Sequence, residues 1–371
     1  MSKDLAIIGA SYLQLPLIEK AKEMGYTTHV FAWKANDVGE TAADFFYPIS
    51  IIEKDQILEK CRELNICGIA SIASDLASIT VNYVAHKMNL TCNSPEASLK
   101  STNKHMMRNA FAAKGDPSPR SMIVDKDTDL SSVSLSYPLI VKPTDRSGSR
   151  GIYKIDGCDS DTLRRSVAHA IEESFEKKAL IEEYIEGQEY SVEYISFKGK
   201  HTFLAMTLKY TTGAPCFIET GHKEPAPVDP ETLERVKAIT EHALDTLGIE
   251  NGASHTEIKI DDDGKIMIVE IGGRMGGDCI GSDLVRYSTG LDFVRMVIDV
   301  ACGKEPDMTP VCEPIPVESI FLFTQEDIDE LERLKKEEPD RLLKIVDYSP
   351  ENIGKITDSS NRAGCYIRRF K

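Results

Sequence analysis

The amino-acid sequence predicts a mixed α/β and α+β protein of several domains, and three observations carry that expectation. The first hundred residues alternate short apolar runs with helical periodicity, the pattern of a parallel sheet with helices on both faces. A small mixed block follows, set between two larger ones. The second half of the chain holds β-rich runs, two of them joined by a tight Asp-Gly turn. A length of 371 residues suits two or three units of roughly 150 residues each.

Leu5–Gly9 is a continuous apolar run, and Gly9-Ala10-Ser11 turns it into a helical pattern over Leu13–Met24 that ends at Gly25. Strands are expected at Thr28–Phe31, Phe45–Ile49 and Gly68–Ser71, with helices at Asp55–Leu64 and Ala77–Met88. Gly9-Ala10-Ser11 lacks the G-x-G-x-x-G spacing, so Gly9 reads as a tight turn and not as a dinucleotide site. Asp75 either faces a ligand at the carboxyl end of the sheet or, more simply, caps the next helix.

The second block opens near Ser101 with a helix over residues 103–113, broken by Gly115-Asp116-Pro117-Ser118-Pro119. Strands at Arg120–Val124, Leu139–Lys142, Gly151–Ile155 and Ala179–Glu183 surround a helix at Asp161–Phe175. Such a block between two larger ones has the placement of a mobile lid. The third block carries strands at Glu189–Phe197, Ala253–Ile260 and Ile266–Ile271, and helices near Glu231–Leu247 and Leu291–Ala301. A segment with Pro215, Pro225 and Pro227 reads as a loop over the site. Past Pro306 come a Pro-rich link, a strand, a charged helix at Glu326–Glu338 and a last β segment.

With 44 Lys+Arg against 60 Asp+Glu the net charge is −16, which disfavours nucleic acid or an anionic membrane as the main partner. Nucleotides stay open, because one lysine or arginine can hold a phosphate. No apolar run approaches the roughly 18–20 residues of a bilayer span, and the first residues lack a signal-peptide layout. Nine scattered cysteines with no CxxC pair suit a reducing compartment and argue against zinc. A soluble, cytoplasmic protein is expected.

Three constellations carry chemistry. In the first, the strand Leu139–Lys142 delivers a lysine and then the loop Pro143-Thr144-Asp145-Arg146-Ser147-Gly148-Ser149. Such a loop lets backbone N–H groups and hydroxyls approach a phosphate, although it is not a Walker P-loop. In the second, an apolar strand runs into Glu182-Glu183-Tyr184-Ile185-Glu186-Gly187-Gln188-Glu189. The backbone from Glu182 to Ile185 can match an adenine edge, and Glu189 can accept from ribose hydroxyls. In the third, Glu257 and Glu270 lie thirteen residues apart on two strands of a hairpin closed by Asp261-Asp262-Asp263-Gly264-Lys265. Two carboxylates on one face call for a cation, and Mg²⁺ takes one or two carboxylates plus phosphate oxygens. Gly272-Gly273-Arg274 then presents an arginine beside them. Asp261–Asp263 read as a solvated turn.

The order Lys104, Lys142 before a Gly/Ser loop, Glu182–Glu189, Glu257, and Glu270-Ile271-Gly272-Gly273-Arg274 resembles the ATP-grasp superfamily of carboxylate–amine ligases. Glu-Ile-Gly-Gly-Arg, together with Ile218-Glu219-Thr220-Gly221-His222, is most similar to the bacterial L-amino-acid ligases that make dipeptides. The resemblance implies an ATP-grasp fold: an N-terminal Rossmann-like domain over 1–100, a lid over 101–187 and a catalytic domain over 188–371. It implies that Lys104 and Lys142 contact nucleotide phosphates while Ser147, Gly148 and Ser149 close over them. Glu182, Glu183 and Ile185 would meet adenine, mainly through backbone groups, and Glu189 the ribose. Glu257 and Glu270 would hold Mg²⁺, with Mn²⁺ as a substitute, and Arg274 would stabilise charge on the transferring phosphoryl group.

His222 is expected either to bind the substrate carboxylate or to assist deprotonation of the amine; the other seven histidines are assigned to packing and surface roles. One departure is Gly272, where many ATP-grasp enzymes carry Asn; the dipeptide-forming branch shares the glycine. The implied partners are a small carboxylate and an amine. Homodimers are common in the family. Purine-biosynthetic or bicarbonate-activating chemistry, and a non-catalytic nucleotide-binding regulator, stay open as alternatives.

Overall fold

The computed structural model describes every residue except 1–2, 147, 149, 215–216, 355–361 and 371. Strands β1 (Asp4–Ile8), β2 (Thr27–Phe31), β3 (Phe45–Tyr47) and β4 (Gly68–Ala70) form a parallel sheet in the order β3-β2-β1-β4. Helices α1 (Leu15–Glu23), α2 (Val38–Ala42), α3 (Lys54–Leu64) and α4 (Asp75–Lys87) connect and cover it. The apolar run at Leu5–Ile8 is fully buried because the sheet is covered on both faces. Helix α4 is capped by Ser74, not Asp75, whose hydroxyl accepts from Ala77 N, so the side chain of Asp75 is left to act elsewhere.

Helices α5 (Pro95–Thr102) and α6 (Lys104–Lys114) lead to a four-stranded antiparallel sheet. Its strands β5 (Ser121–Val124), β6 (Leu139–Pro143), β7 (Tyr153–Ile155) and β8 (Ala179–Glu183) lie in the order β5-β8-β6-β7, backed by α7 (Ser160–Glu173). This sheet has a core of its own around Leu139, Val141, Val167 and Ile181.

Gly187 then carries the chain into an eight-stranded sheet. Its φ is +110°, and an added Cβ would stand 2.3 Å from the Ile260 carbonyl oxygen, so no other residue fits without moving backbone. The strands are β9 (Gln188–Phe197), β10 (Lys200–Thr211), β11 (Glu219–Glu224), β12 (Gly252–Ile260), β13 (Ile266–Gly272), β14 (Val317–Phe321), β15 (Leu342–Val346) and β16 (Cys365–Arg369). They order as β13-β12-β9-β10-β11-β14-β16-β15. Helix α8 (Pro230–Leu247) is capped by Asp229, which accepts from Thr232 N at 2.9 Å, and its apolar face packs on this sheet. A π-helical turn at Ile280–Leu284 and the short α9 (Val285–Thr289) lead to α10 (Phe293–Ala301); α11 (Gln325–Glu337) lies outside the last strands.

Helices α2 and α5 and a second strand after α11 add to the expected elements, and two further features matter for the site. Strands β10 and β11 occupy a region expected to hold no further strand, and the segment read as a loop over the site contains β11 instead. Both strands are buried over half of their length, β10 in one unbroken run, which erases the alternating pattern that marks a one-sided strand. In addition, α10 buries Phe293, Val294 and Val297 in the same core as the N-terminal parallel sheet, so that sheet and the large one share apolar contacts.

Candidate active site

A cleft of about 1030 Å³ lies between the lid sheet and the eight-stranded sheet, closed at one end by α4 and α6. Lys104, Lys142, Gly148, Glu182, Glu183, Ile185, Glu189, Glu257, Glu270 and Arg274 all line it. Ser147 and Ser149 lie outside the described residues.

The wall formed by the large sheet is rich in carboxylates. Glu257 and Glu270 are direct register partners across β12 and β13, which puts both side chains on one face. Lys209, on β10, reaches Glu257 at 2.7 Å, Glu189 at 2.9 Å and Glu219 at 3.8 Å. Burial alone would lower this ammonium, but the three carboxylates outweigh it and raise it well above its ordinary value. Glu257 moves the opposite way: against the upward pull of burial, Lys209 and His255 hold it well below the carboxylate range. One lysine facing three carboxylates, of which Glu219 also lies 4.0 Å from Arg362, leaves an excess of carboxylates on this wall.

His255 belongs to the same network. Its Nδ1 bonds Glu193, its register partner on β9, and its Nε2 lies 3.5 Å from Glu257. Burial opposes its protonation, yet Glu193 prevails and raises it to about 9, so the ring is cationic at neutral pH. The Glu193 side chain also accepts from Gly276 N at 3.0 Å, fixing the loop after Arg274. Glu270 is held by Lys104 Nζ at 2.9 Å, and the same ammonium donates to the Arg146 carbonyl at 2.7 Å. Lys104 therefore ties the lid loop to the carboxylate wall.

The lid wall has the reverse balance. Lys142 and Arg108 both pair with Glu182, Arg108 at 3.0 Å, and all three are buried. Two cations share one carboxylate. Burial, only partly offset by Glu182, lowers the Lys142 ammonium, while Glu182 is lowered because Arg108 and Lys142 outweigh its burial. A lysine in that state gains from any additional anion. Glu183 is turned to the rim, where it binds Arg120 and accepts from Ser136 N at 2.9 Å. The Ile185 carbonyl accepts from Lys259 Nζ at 3.2 Å. Ile140, Ile152 and Phe217 supply apolar surface in the same part of the cleft.

At the closed end Arg274 donates to both Asp75 oxygens, at 2.8 and 3.2 Å. This bidentate pair fixes the guanidinium plane at that end of the cleft and raises the arginine further against the cost of burial. Gly272 makes room for it. A Cβ there would stand 2.9 Å from Asp75 Oδ1 and 3.3 Å from Arg274 Cζ, so a larger residue displaces the pair.

His222 is not brought to the cleft wall. It is the register partner of Lys209 on β11, but it is fully buried, with its ring edge-on to Phe321 and its Nε2 4.0 Å from Asp278. Neither ring nitrogen has a hydrogen-bond partner among the described residues. Burial drives its pKa down to about 3, so the ring is neutral. The expectation of a loop histidine over the site is corrected on that geometry: it sits inside the sheet.

Sequence reasoning missed Lys209, Arg108, Glu193 and His255, and it placed His255 among the packing histidines. A signal for His255 existed: it is two residues before Glu257 on one strand, so both project from the same face.

The donor set fits a hard divalent cation. The two opposed carboxylates, each partnered by a lysine, are what Mg²⁺ requires from a protein when phosphate oxygens and water complete its shell. Among the described residues no group of three or more His, Cys, Asp and Glu forms an all-protein metal cage.

Residues 135–283 match the ATP-grasp domain family. Alanine–anticapsin ligase of Bacillus subtilis (strain 168) is 26% identical over 329 residues, spanning 79% of this chain and 69% of that protein. D-alanine–D-alanine ligase of Stutzerimonas stutzeri is 24% identical over 215 residues, spanning 55% of this chain and 65% of that protein. The L-amino acid ligase structure from Bacillus licheniformis superposes with a TM-score of 0.80 at 20% identity, covering 99% of this chain and 93% of its own. Phosphoribosylglycinamide synthetase from Anaerococcus prevotii gives a TM-score of 0.78 at 23% identity, covering 100% and 94%. At such identities the structural likeness establishes a shared fold.

Proposed function

We propose that this chain, which carries an ATP-grasp domain, is an ATP- and Mg²⁺-dependent ligase that joins a carboxylate to an amine and releases ADP and phosphate. The carboxylate belongs to an amino acid, and the amine to a second amino acid or a related small molecule. The observation that carries this reading is the polarity of the cleft: surplus cations on the lid wall and surplus carboxylates on the sheet wall. A nucleotide triphosphate with a divalent cation needs that division.

Mg²⁺ held by Glu257 and Glu270 would neutralise charge on the β- and γ-phosphates. Lys142 would release part of its contact with Glu182 to a phosphate, and Lys104 would bridge the lid loop to the same group. The substrate carboxylate oxygen attacks the γ-phosphorus, breaking its bond to the bridging oxygen, and the products are ADP and an acyl phosphate. Arg274, oriented by Asp75, is placed to stabilise negative charge on the transferring group and on the oxyanion formed when the amine attacks. Collapse of that intermediate expels phosphate and leaves an amide. Closure of the lid over the cleft would keep water from the acyl phosphate.

The alanine–anticapsin ligase likeness, and the resemblance of Glu270-Ile271-Gly272-Gly273-Arg274 to the dipeptide-forming ligases, support an amino-acid substrate. The test is ADP release with ATP and Mg²⁺ across a matrix of paired amino acids and small amines, with mass spectrometry on each active pair. ADP together with a product lighter than the pair by one water supports the ligase. ADP release that is independent of any acid, or AMP with pyrophosphate, refutes it.

A further inference from the structure

Exposed large apolar side chains are ordinary when scattered, but here they converge. Trp33 follows β2, Ile52 follows β3, Ile79 lies on α4, Leu99 on α5, and Phe175 follows α7 of the lid; they are between 38% and 59% exposed. All five line one groove of about 1380 Å³. Three parts of the fold thus turn apolar surface toward the same space, at the carboxyl ends of the parallel strands.

The groove is continuous with the reactive cleft. Asp75, Lys104, Arg146 and Glu270 line both. At this shared mouth the two acids are already engaged, Asp75 by Arg274 and Glu270 by Lys104. Lys104, paired with Glu270, and Arg146, 3.8 Å from Glu173, bring two cations to this junction, and the Arg146 guanidinium lies 4.5 Å over the Phe175 ring. An apolar channel ending in cations beside the proposed phosphoryl-transfer site suits an anion with an apolar body.

We propose that this groove binds the side chain of the carboxylate substrate, and that this substrate is an amino acid with a bulky aliphatic or aromatic side chain. The inference rests on the ligase reading and names the substrate class of that site. The carboxylate lies at the Lys104–Arg146 mouth, and the side chain runs outward against Leu99, Ile52 and Trp33.

Trp33 is the single tryptophan of the chain, so its fluorescence reports the groove alone. The experiment titrates the full chain, with and without Mg²⁺ and a non-hydrolysable ATP analogue, with L-leucine, L-phenylalanine, L-alanine and L-glutamate. Saturable shifts in Trp33 emission with leucine and phenylalanine, and none with alanine or glutamate at equal concentration, support the proposal. Leu99→Glu, an exposed position outside the catalytic groups, should weaken that response for phenylalanine by about tenfold or more. No response to the apolar acids, an unchanged response in Leu99→Glu, or a shift produced entirely by the nucleotide overturns it; the last would mean that the groove merely closes on itself as the lid seats. The two readings fail separately. Trp33 responding to leucine in a protein that forms no ADP leaves the groove and removes the ligase. ADP and amide formation with a silent Trp33 does the reverse.

Discussion

The two walls of the cleft each bury a lysine, and they treat it in opposite ways. Lys142 on the lid shares one carboxylate with Arg108, and its ammonium is lowered. Lys209 on the large sheet has three carboxylates around it and is raised. A buried charge is tolerated only when it is compensated, so each wall is left asking for the partner it lacks. The lid wall is short of negative charge and the sheet wall is short of positive charge. ATP with Mg²⁺ would supply both deficits in one ligand, which is what the proposed phosphoryl-transfer site adds to two structural ion clusters.

The strongest way to break the comparison is at the sheet wall. Glu270→Gln keeps a hydrogen-bond acceptor for Lys104, so the fold should persist, while turnover falls by about 100- to 1000-fold. Unchanged turnover, measured as ADP release beside an unaltered thermal melt, would remove the metal-site assignment. On the lid wall, Lys142→Met should leave Glu182 neutralised by Arg108 and weaken nucleotide binding by about 2 kcal/mol or more. Calorimetric titration with the ATP analogue reads this directly, and wild-type affinity would contradict the phosphate role.

His222 sharpens the contrast, because burial outweighs the nearby Asp278 and keeps it neutral. Its folded pKa is depressed from 6.5 to about 3, so the unfolded chain binds the proton first. Its effect on stability is absent above pH 6.5, appears as the pH falls below that value, and grows until about pH 3. At pH 5 the cost is about 2 kcal/mol. His222→Phe should therefore lose less stability than the wild type between pH 7.5 and pH 5 in urea unfolding, and parallel losses would show that another group dominates. The smallest effect is expected from Gly272→Asn. The added side chain meets the Asp75–Arg274 pair, so kcat should drop by about tenfold, with nucleotide affinity retained. A higher kcat would contradict the steric reading of Gly272.

Most strands and helices of the N-terminal half and the lid were legible because turns and apolar runs there are separated by clear breakers; the short α2 and α5 were not. Glu257 and Glu270 were legible because an Asp-Gly turn sets a hairpin register, and the structure makes the two register partners. Lys142 followed from its position at the end of a buried strand. Lys209 and His222 lie on strands without polar alternation, and their surroundings depend on β9, β12 and β14, which are distant in sequence. Arg108 was hidden for a related reason: one turn into α6 it reads as a solvated helix residue, and only the docking of β8 against that helix brings Glu182 to it. Pairings of that kind are tertiary facts, and local periodicity does not contain them.

The central claim is that the carboxylate is activated by phosphorylation within this cleft. It is tested most directly with an amino acid whose carboxylate carries ¹⁸O in both positions, ATP, Mg²⁺ and the partner amine. One carboxylate oxygen becomes the bridge of the acyl phosphate and leaves with the phosphoryl group. The account predicts inorganic phosphate carrying a single ¹⁸O, in step with ADP and amide. Unlabelled phosphate, or label found in AMP, would contradict it.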